Sequence, residues 1–480
     1  MEQAKSNKIT GALIWKLLER FGVQGVQFVL QIILARILSP DHYGALSIML
    51  IFVNLANVFV QTGFNTALVQ NKEVTEEDYS SVFWVSLTIV GVLYGAIFFA
   101  APLIGAFYEM PGIVAPLRVL ALMLLPGALN SVQLAKVSRE MDFRKIFYSN
   151  VAGIVFAGVL GVTIALLGGG LWALVAYNMV NIFAACIVMR FTVQWRIRFV
   201  CNLKRVKTLF SFGWKLLVSG LLETLYQDIR SLVIGKKYDA GTLGYYNRGK
   251  QFPQFFITAV SGTVQSVMLP AMSEQQDEVE KVKTLTRNAI MLSAFILFPL
   301  MAGLAGVAAP LVELLLTDKW LPCVPYLQIY CFTLAFNPIH MCNLQAINAM
   351  GRSDIFLKLE IIKKVIGIGA LVIAVFCFQS PIAIAMTGVF TVFTSCFINA
   401  YPNKKLIGYS YAEQMKDLLP TFFVAVLMLA CVLGIGVLGL GSLVTLCLQV
   451  IVGAVVYVSV SAACRLQPMK LLLQAINMKK

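Results

Sequence analysis

Apolar stretches of about twenty residues alternate with short polar breaks along the whole chain, each long enough to cross a hydrocarbon layer of about 30 Å as a helix. The pattern predicts helical segments over 11–38, 42–69, 80–102, 113–135, 147–167, 170–189, 208–234 and 242–270. Six more are predicted over 288–308, 322–349, 355–378, 381–401, 417–438 and 442–463. The expected class is therefore an all-α membrane protein of about fourteen transmembrane helices. No small-residue cleavage site follows the first stretch, so it is expected to be a retained helix rather than a removed leader.

Four of these segments carry polar residues on one face. In the first, Lys16, Arg20, Gln24, Gln27 and Gln31 fall within about 80° of arc at 100° per residue. The second places Ser47, Asn54, Asn57, Gln61 and Asn65 in a similar stripe. The seventh does so with Lys215, Ser219, Glu223, Tyr226, Gln227 and Arg230. The eighth carries Asn247, Gln251, Gln254, Thr258, Ser261 and Gln265, with Lys250 beside them and Arg248 further round. A lysine or arginine at mid-bilayer costs about 2.5–3.5 kcal/mol on insertion scales, so these faces are expected to avoid lipid. Amides that glue helices together explain a few polar residues per helix. Four matched stripes with several charges point instead to a water-filled cavity. Lys16, Arg20, Lys215, Arg230, Arg248 and Lys250 outnumber Glu19, Glu223 and Asp228, so the cavity is expected to be net basic and to suit phosphate or carboxylate. Gln24, Gln27, Asn54, Asn57, Gln61, Glu223, Gln227, Gln251 and Gln254 are the candidate polar lining. Arg36 and Arg118 are expected to reach the outer interface.

The striped segments repeat in parallel. Trp15-Lys16-Leu17-Leu18 recurs as Trp214-Lys215-Leu216-Leu217, and Pro40-Asp41-His42-Tyr43-Gly44 aligns with Ala240-Gly241-Thr242-Leu243-Gly244. Further on, Gln133 and Asp142 match Gln345 and Asp354. Six helices per repeat give both the same orientation in the membrane. The expected organisation is two six-helix lobes in a parallel pseudo-repeat, over 1–207 with its basic linker and 208–416. Two further helices and a tail follow over 417–480.

Composition excludes a soluble protein. Of 480 residues, 59% are hydrophobic and only 13% charged, too few to cover a water-exposed surface. The net charge of +15 is mostly an orientation signal rather than a sign of nucleic acid. The terminal segments and alternate loops hold 27 lysines and arginines, whereas the opposite loops hold only Lys236, Lys237 and Lys319. The positive-inside rule then puts both termini in the cytoplasm. The ten cysteines include no CxxC, and His42 and His340 are too few and too far apart for a metal centre. No Walker loop, paired carboxylates or nucleophile–base motif stands out, and the outer loops are short, so an enzyme is not expected.

With these features in place, LARILSPDHYG (34–44), IGKKYDAGTLGYYNRGKQF (234–252), VMLPAMSE (267–274) and NAMGRSDIFLK (348–358) resemble polysaccharide-biosynthesis flippases. These are the O-antigen, capsule and colanic-acid exporters of the multidrug/oligosaccharidyl-lipid/polysaccharide (MOP) superfamily. The likeness runs over nearly the whole chain. It implies an inner-membrane transporter that moves an undecaprenyl-pyrophosphate-linked oligosaccharide by alternating access. A basic cavity would suit the pyrophosphate, and the Asn and Gln stripes would suit sugar hydroxyls. Implied partners are the lipid-linked oligosaccharide, membrane lipids, and a polysaccharide polymerase or other assembly proteins. No cofactor is implied, and coupling to protons, sodium or membrane potential stays open. The competing readings are a peptidoglycan lipid-precursor flippase, a cation-coupled multidrug extruder, and a membrane polysaccharide polymerase or ligase.

Overall fold

The computed structural model describes residues 22–70, 74–193, 195 and 197–477. Every regular element among them is helical. The chain runs through α1 (Gln24–Ile37), α2 (Pro40–Gln70), α3 (Glu76–Phe107), α4 (Val114–Leu120), α5 (Leu124–Glu140), α6 (Phe143–Leu166), α7 (Leu171–Thr192), α8 (Leu203–Lys237) and α9 (Ala240–Glu274). It continues through α10 (Val279–Gly306), α11 (Ala308–Leu316), α12 (Val324–Ala335), α13 (Asn337–Ala349), α14 (Ser353–Cys377), α15 (Pro381–Ala400), the single turn α16 (Asn403–Leu406), α17 (Tyr411–Gly436), α18 (Ser442–Ala463) and α19 (Gln467–Asn477). Among the described residues, nine helical spans are long and apolar enough to cross a membrane. The protein is a multi-pass membrane protein.

Where the expected helices are broken, proline is the reason. The segment predicted over 322–349 is two helices, because Pro338 at the start of α13 cannot continue α12. The 35-residue α8 and α9 are long enough to span, but polar residues interrupt them: Lys215, Glu223, Asp228 and Arg230 in one, Arg248, Lys250 and Gln251 in the other. They are the helices whose stripes stood out in the sequence.

Two compact units divide the chain, Met1–Gly244 and Tyr245–Lys480. In the first, α8 packs along α2, although by sequence it opens the second repeat. The linker ahead of α8 is strapped to α3 rather than free in solvent. The Ser80 hydroxyl accepts from the Arg198 amide at 3.2 Å, and Ser81 accepts from the Asn202 amide at 3.0 Å. Trp84 donates its indole N–H to the Arg198 carbonyl at 2.9 Å and stacks on Phe199. Arg205 then grips buried Asp78 with two bonds, 3.1 and 3.0 Å long.

Both repeats carry a proline inside their third helix and satisfy the carbonyl it frees with a side chain. Pro102 lacks an N–H, so the Phe98 carbonyl one turn earlier in α3 loses its helical donor. Arg118 of α4 supplies one through Nε at 3.1 Å and lies over the Phe98 ring. In the second unit Pro299 of α10 frees the Phe295 carbonyl in the same way, and the Tyr457 hydroxyl of α18 donates to it at 2.7 Å. The prolines sit in matching Pro-Leu steps, Pro102-Leu103 and Pro299-Leu300. The second cap comes from a helix outside both sequence repeats, so α18 is fixed to the core of its unit. At the other end of α10, Arg287 makes a two-bond pair with Asp417 of α17. Beside it, fully buried Asn343 and Gln414 exchange amide bonds of 2.9 Å, and Asn403 donates to the Asn343 side chain at 2.7 Å.

Candidate functional site

The register of α2 against α8 is set at one corner. A β-carbon on Gly44 would overlap the Ala240 carbonyl oxygen, and one on Gly235 would come within 2.5 Å of Ile48 Cδ1. The two helices therefore run antiparallel from that corner. Counting down α2 from Ile48 and back along α8 from Gly235 brings polar residues to within about one residue's rise of one another at 1.5 Å per residue. Asn54 stands level with Arg230, Asn57 with Gln227, and Gln61 with Glu223. Two sequence stripes thus become one ladder of three polar rungs within the first unit.

Bonds between residues one turn apart join neighbouring rungs along each helix. Gln61 donates to Asn57 Oδ1 at 3.3 Å, and Gln227 donates to Glu223 Oε1 at 2.9 Å. The Arg230 guanidinium lies 6.0 Å from the centre of the Tyr226 ring, near the outer limit for a cation–π contact. Asn54, Gln227 and Lys215 are exposed, whereas Asn57, Gln61, Glu223 and Arg230 are half-buried. Gln24 and Gln27 of α1 belong to the same unit and are half-buried. Lys16, Arg20 and Glu19 lie outside the described residues.

The eighth predicted stripe, on α9, falls in the second unit from Tyr245 onward. Gln254 is exposed, and Lys250 and Gln251 are half-buried. Arg248 is 4% exposed: its guanidinium sits 5.2 Å over the ring of Trp320, itself fully buried, and donates to Gln251 at 2.6 Å. That surrounding holds the Arg248 guanidinium against side chains of its own unit. Its position beyond the stripe in the helical-wheel arithmetic was the available signal. At the end of α8, Lys236 pairs with Glu109 at 2.9 Å and holds that carboxyl below its ordinary range. Lys363 lies well inside α14, and its side chain is 10% exposed.

A model of the family described as polysaccharide biosynthesis protein matches residues 33–325, more than half of the chain. The chain belongs to that family. One relative within reach of the whole chain is the succinoglycan biosynthesis transport protein ExoT of Rhizobium meliloti (strain 1021), 24% identical over 412 residues, which cover 86% of this chain and 81% of ExoT. Among solved structures, the inward closed conformation of the lipid II flippase MurJ superposes with a TM-score of 0.74 at 14% identity, covering 94% of this chain and 98% of that one. An inward-facing multidrug resistance MATE family transporter of the MOP superfamily superposes with a TM-score of 0.62 at 17% identity, covering 82% and 98%. The polysaccharide biosynthesis family member therefore has the fold of that superfamily. In it the α2–α8 ladder lies inside the matched region.

Proposed function

We propose that this polysaccharide biosynthesis protein is a flippase for a lipid-linked oligosaccharide, with a polyprenyl pyrophosphate as the anchor. It would move the head group from the cytoplasmic to the outer leaflet of a bacterial inner membrane by alternating access, as a transporter rather than an enzyme. The proposed topology has fourteen transmembrane helices and both termini in the cytoplasm, with moving lobes over 1–207 and 208–416 and an added pair of helices after 416. The observation that carries the reading is the ladder. Asn54, Asn57, Gln61, Gln227 and Glu223 offer both donors and acceptors at successive depths, which suits a chain of sugar hydroxyls. Lys215 and Arg230 stand on the same helix face and suit the phosphate groups. Lys16 and Arg20, by sequence, would add to that basic end. Lys250, Gln251 and Gln254 are the second unit's groups of the same kind, while Arg248 supports Trp320.

A single-cysteine experiment tests the ladder as a wet face. In a background freed of other reactive thiols, Asn57→Cys and Gln227→Cys should react with a small hydrophilic thiol reagent, and inorganic pyrophosphate should slow Lys215→Cys. Val218→Cys and Leu225→Cys, exposed but on the apolar face of α8, should react far less. Equal rates on both faces would contradict the proposal.

A further inference from the structure

The linker between α7 and α8 has two unlike sides. Its inner side belongs to the core of the first unit, where Val193, Trp195 and Val206 are buried with Tyr79, Val82 and Phe83 of α3. The Trp195 ring meets Phe83 edge-on, with centroids 5.9 Å apart. Ser80, Ser81 and Trp84 hold the linker backbone from the same direction, so the outer side is fixed in place. That outer side combines cations with bare aromatic rings. Residues 190–207 include six basic residues and no acidic one. Arg190, Arg198, Lys204 and Lys207 are exposed. Phe191 and Phe199 are 84% and 90% exposed, although Phe199 is stacked on the Trp84 ring. Of the three acids in the first turn of α3, Asp78 pairs with Arg205 and Glu76 with Lys136, and Glu77 is exposed.

Position says what this surface meets. The linker begins where α7, a membrane-crossing span, ends at Thr192. It is tied to residues 80–84 of α3, a second span, within about two turns of that helix's start at Glu76. The linker therefore runs along the membrane boundary, at the depth of lipid headgroups. A phenylalanine ring left in water there loses its burial, whereas at the headgroup–acyl boundary it is covered and neighbouring cations reach phosphate oxygens. We propose that the outer side of the linker, through Arg190, Phe191, Arg198, Phe199, Lys204 and Lys207, is a docking surface for anionic glycerophospholipids of the adjoining leaflet. Arginine forks take the phosphate oxygens, lysines add charge, and the two rings enter the layer beneath. Nucleic acid would also suit the cations, but the tie to two spans turns this surface to the bilayer. Bound lipid covers the linker from the side opposite α3, at the base of α8. The surface stands whether or not the protein is a flippase.

The test uses the full-length protein in neutral maltoside micelles. With Cys377→Ser, Cys447→Ser and Cys464→Ser in place, a polarity-sensitive fluorophore is attached to exposed Cys201 in the linker. The protein is then titrated with phosphatidylglycerol or with phosphatidylcholine. Phosphatidylglycerol should shift the emission to the blue at concentrations at least about tenfold below those needed for phosphatidylcholine, and added salt should weaken the effect. Each basic residue at an anionic surface is worth a factor of about five. Arg198→Gln, Lys204→Gln and Lys207→Gln combined should therefore lose about tenfold or more in affinity, and Phe199→Ser should lose most of the blue shift. Lys404→Gln, Lys405→Gln and Lys470→Gln combined remove equal charge from exposed positions in the second unit and should change nothing. If the linker triple fails to fold, the wild-type comparison of the two lipids decides. Equal responses to the two lipids overturn the proposal. So does a linker triple or a Phe199→Ser variant that responds like the wild type, or a control triple that loses as much. The same shift produced by inorganic phosphate or by a short RNA without lipid also overturns it.

Discussion

Gly44 and Gly244 face each other's corners in a reciprocal contact. A β-carbon on Gly44 would overlap the Ala240 carbonyl, and one on Gly244 would lie 2.9 Å from the Pro40 carbonyl carbon and 3.3 Å from the Gly44 amide nitrogen. Residues 40 and 240, and 44 and 244, are also the pairs that the sequence repeat aligns. The contact is therefore the kind that a two-fold axis makes, with each member meeting the other's counterpart. Backbone meets backbone there, and no side chain can turn aside to make room.

Alanine at either position should thus force the corners apart. Gly44→Ala and Gly244→Ala are each expected to lower stability by about 1–3 kcal/mol, the usual cost of overpacking. Gly241 is the control. Its β-carbon would meet only the carboxylate oxygens of Asp41 and Asp239, at 3.0 and 3.1 Å, side-chain atoms that need give only a few tenths of an ångström. Thermal unfolding in detergent should show lower midpoints for the first two variants and a near wild-type midpoint for Gly241→Ala. Equal midpoints for all three would show that the corner contact carries no weight.

The proline caps make a double-mutant test. Tyr457→Phe removes the donor to the Phe295 carbonyl and should cost about 1–3 kcal/mol, the desolvation penalty of a buried acceptor left unmade. Pro299→Ala restores the helical N–H, so the tyrosine is no longer needed. Tyr457→Phe should cost clearly less in the Pro299→Ala background than in the wild type. Purely additive midpoint shifts would rule out the cap.

Orientation is tested by impermeant thiol labelling of intact cells. Cys201 is exposed in the strapped linker and should stay unlabelled if that side is cytoplasmic, as the charge distribution predicts. Cys323, near the expected outer face, is fully buried and cannot report. Leu440→Cys is the better outer probe, since Leu440 is exposed in the turn between α17 and α18. Labelling of Cys201 without Leu440→Cys would reverse the topology.

Much of this was legible in the sequence, because a bilayer imposes length and apolarity on each crossing while the repeat doubles every signal. Asn54, Asn57 and Gln227 were placed on stripes by helical arithmetic alone, and the Gly44/Gly244 alignment anticipated the corner. What stayed hidden depends on tertiary partners. The Trp320 ring beneath Arg248, 72 residues away, cannot be read from the stripe on α9. Helix α8 belongs to the second repeat by sequence and to the first unit by packing, and only coordinates reveal that difference.

The most direct test of the flippase reading is leaflet transfer by the purified protein. Liposomes containing it would be loaded with a fluorescent polyprenyl-pyrophosphate oligosaccharide, and the inner-leaflet fraction would be followed by its protection from an external quencher. The expected result is transfer well above protein-free liposomes. Transfer should fall by about tenfold or more in Arg230→Ala, since a charged hydrogen bond is worth about 1.5–3 kcal/mol. It should stay at the wild-type rate in Lys237→Ala, at the exposed end of α8. A wild type no faster than empty liposomes, or an Arg230→Ala variant as fast as the wild type, would contradict the ladder as the path of the substrate.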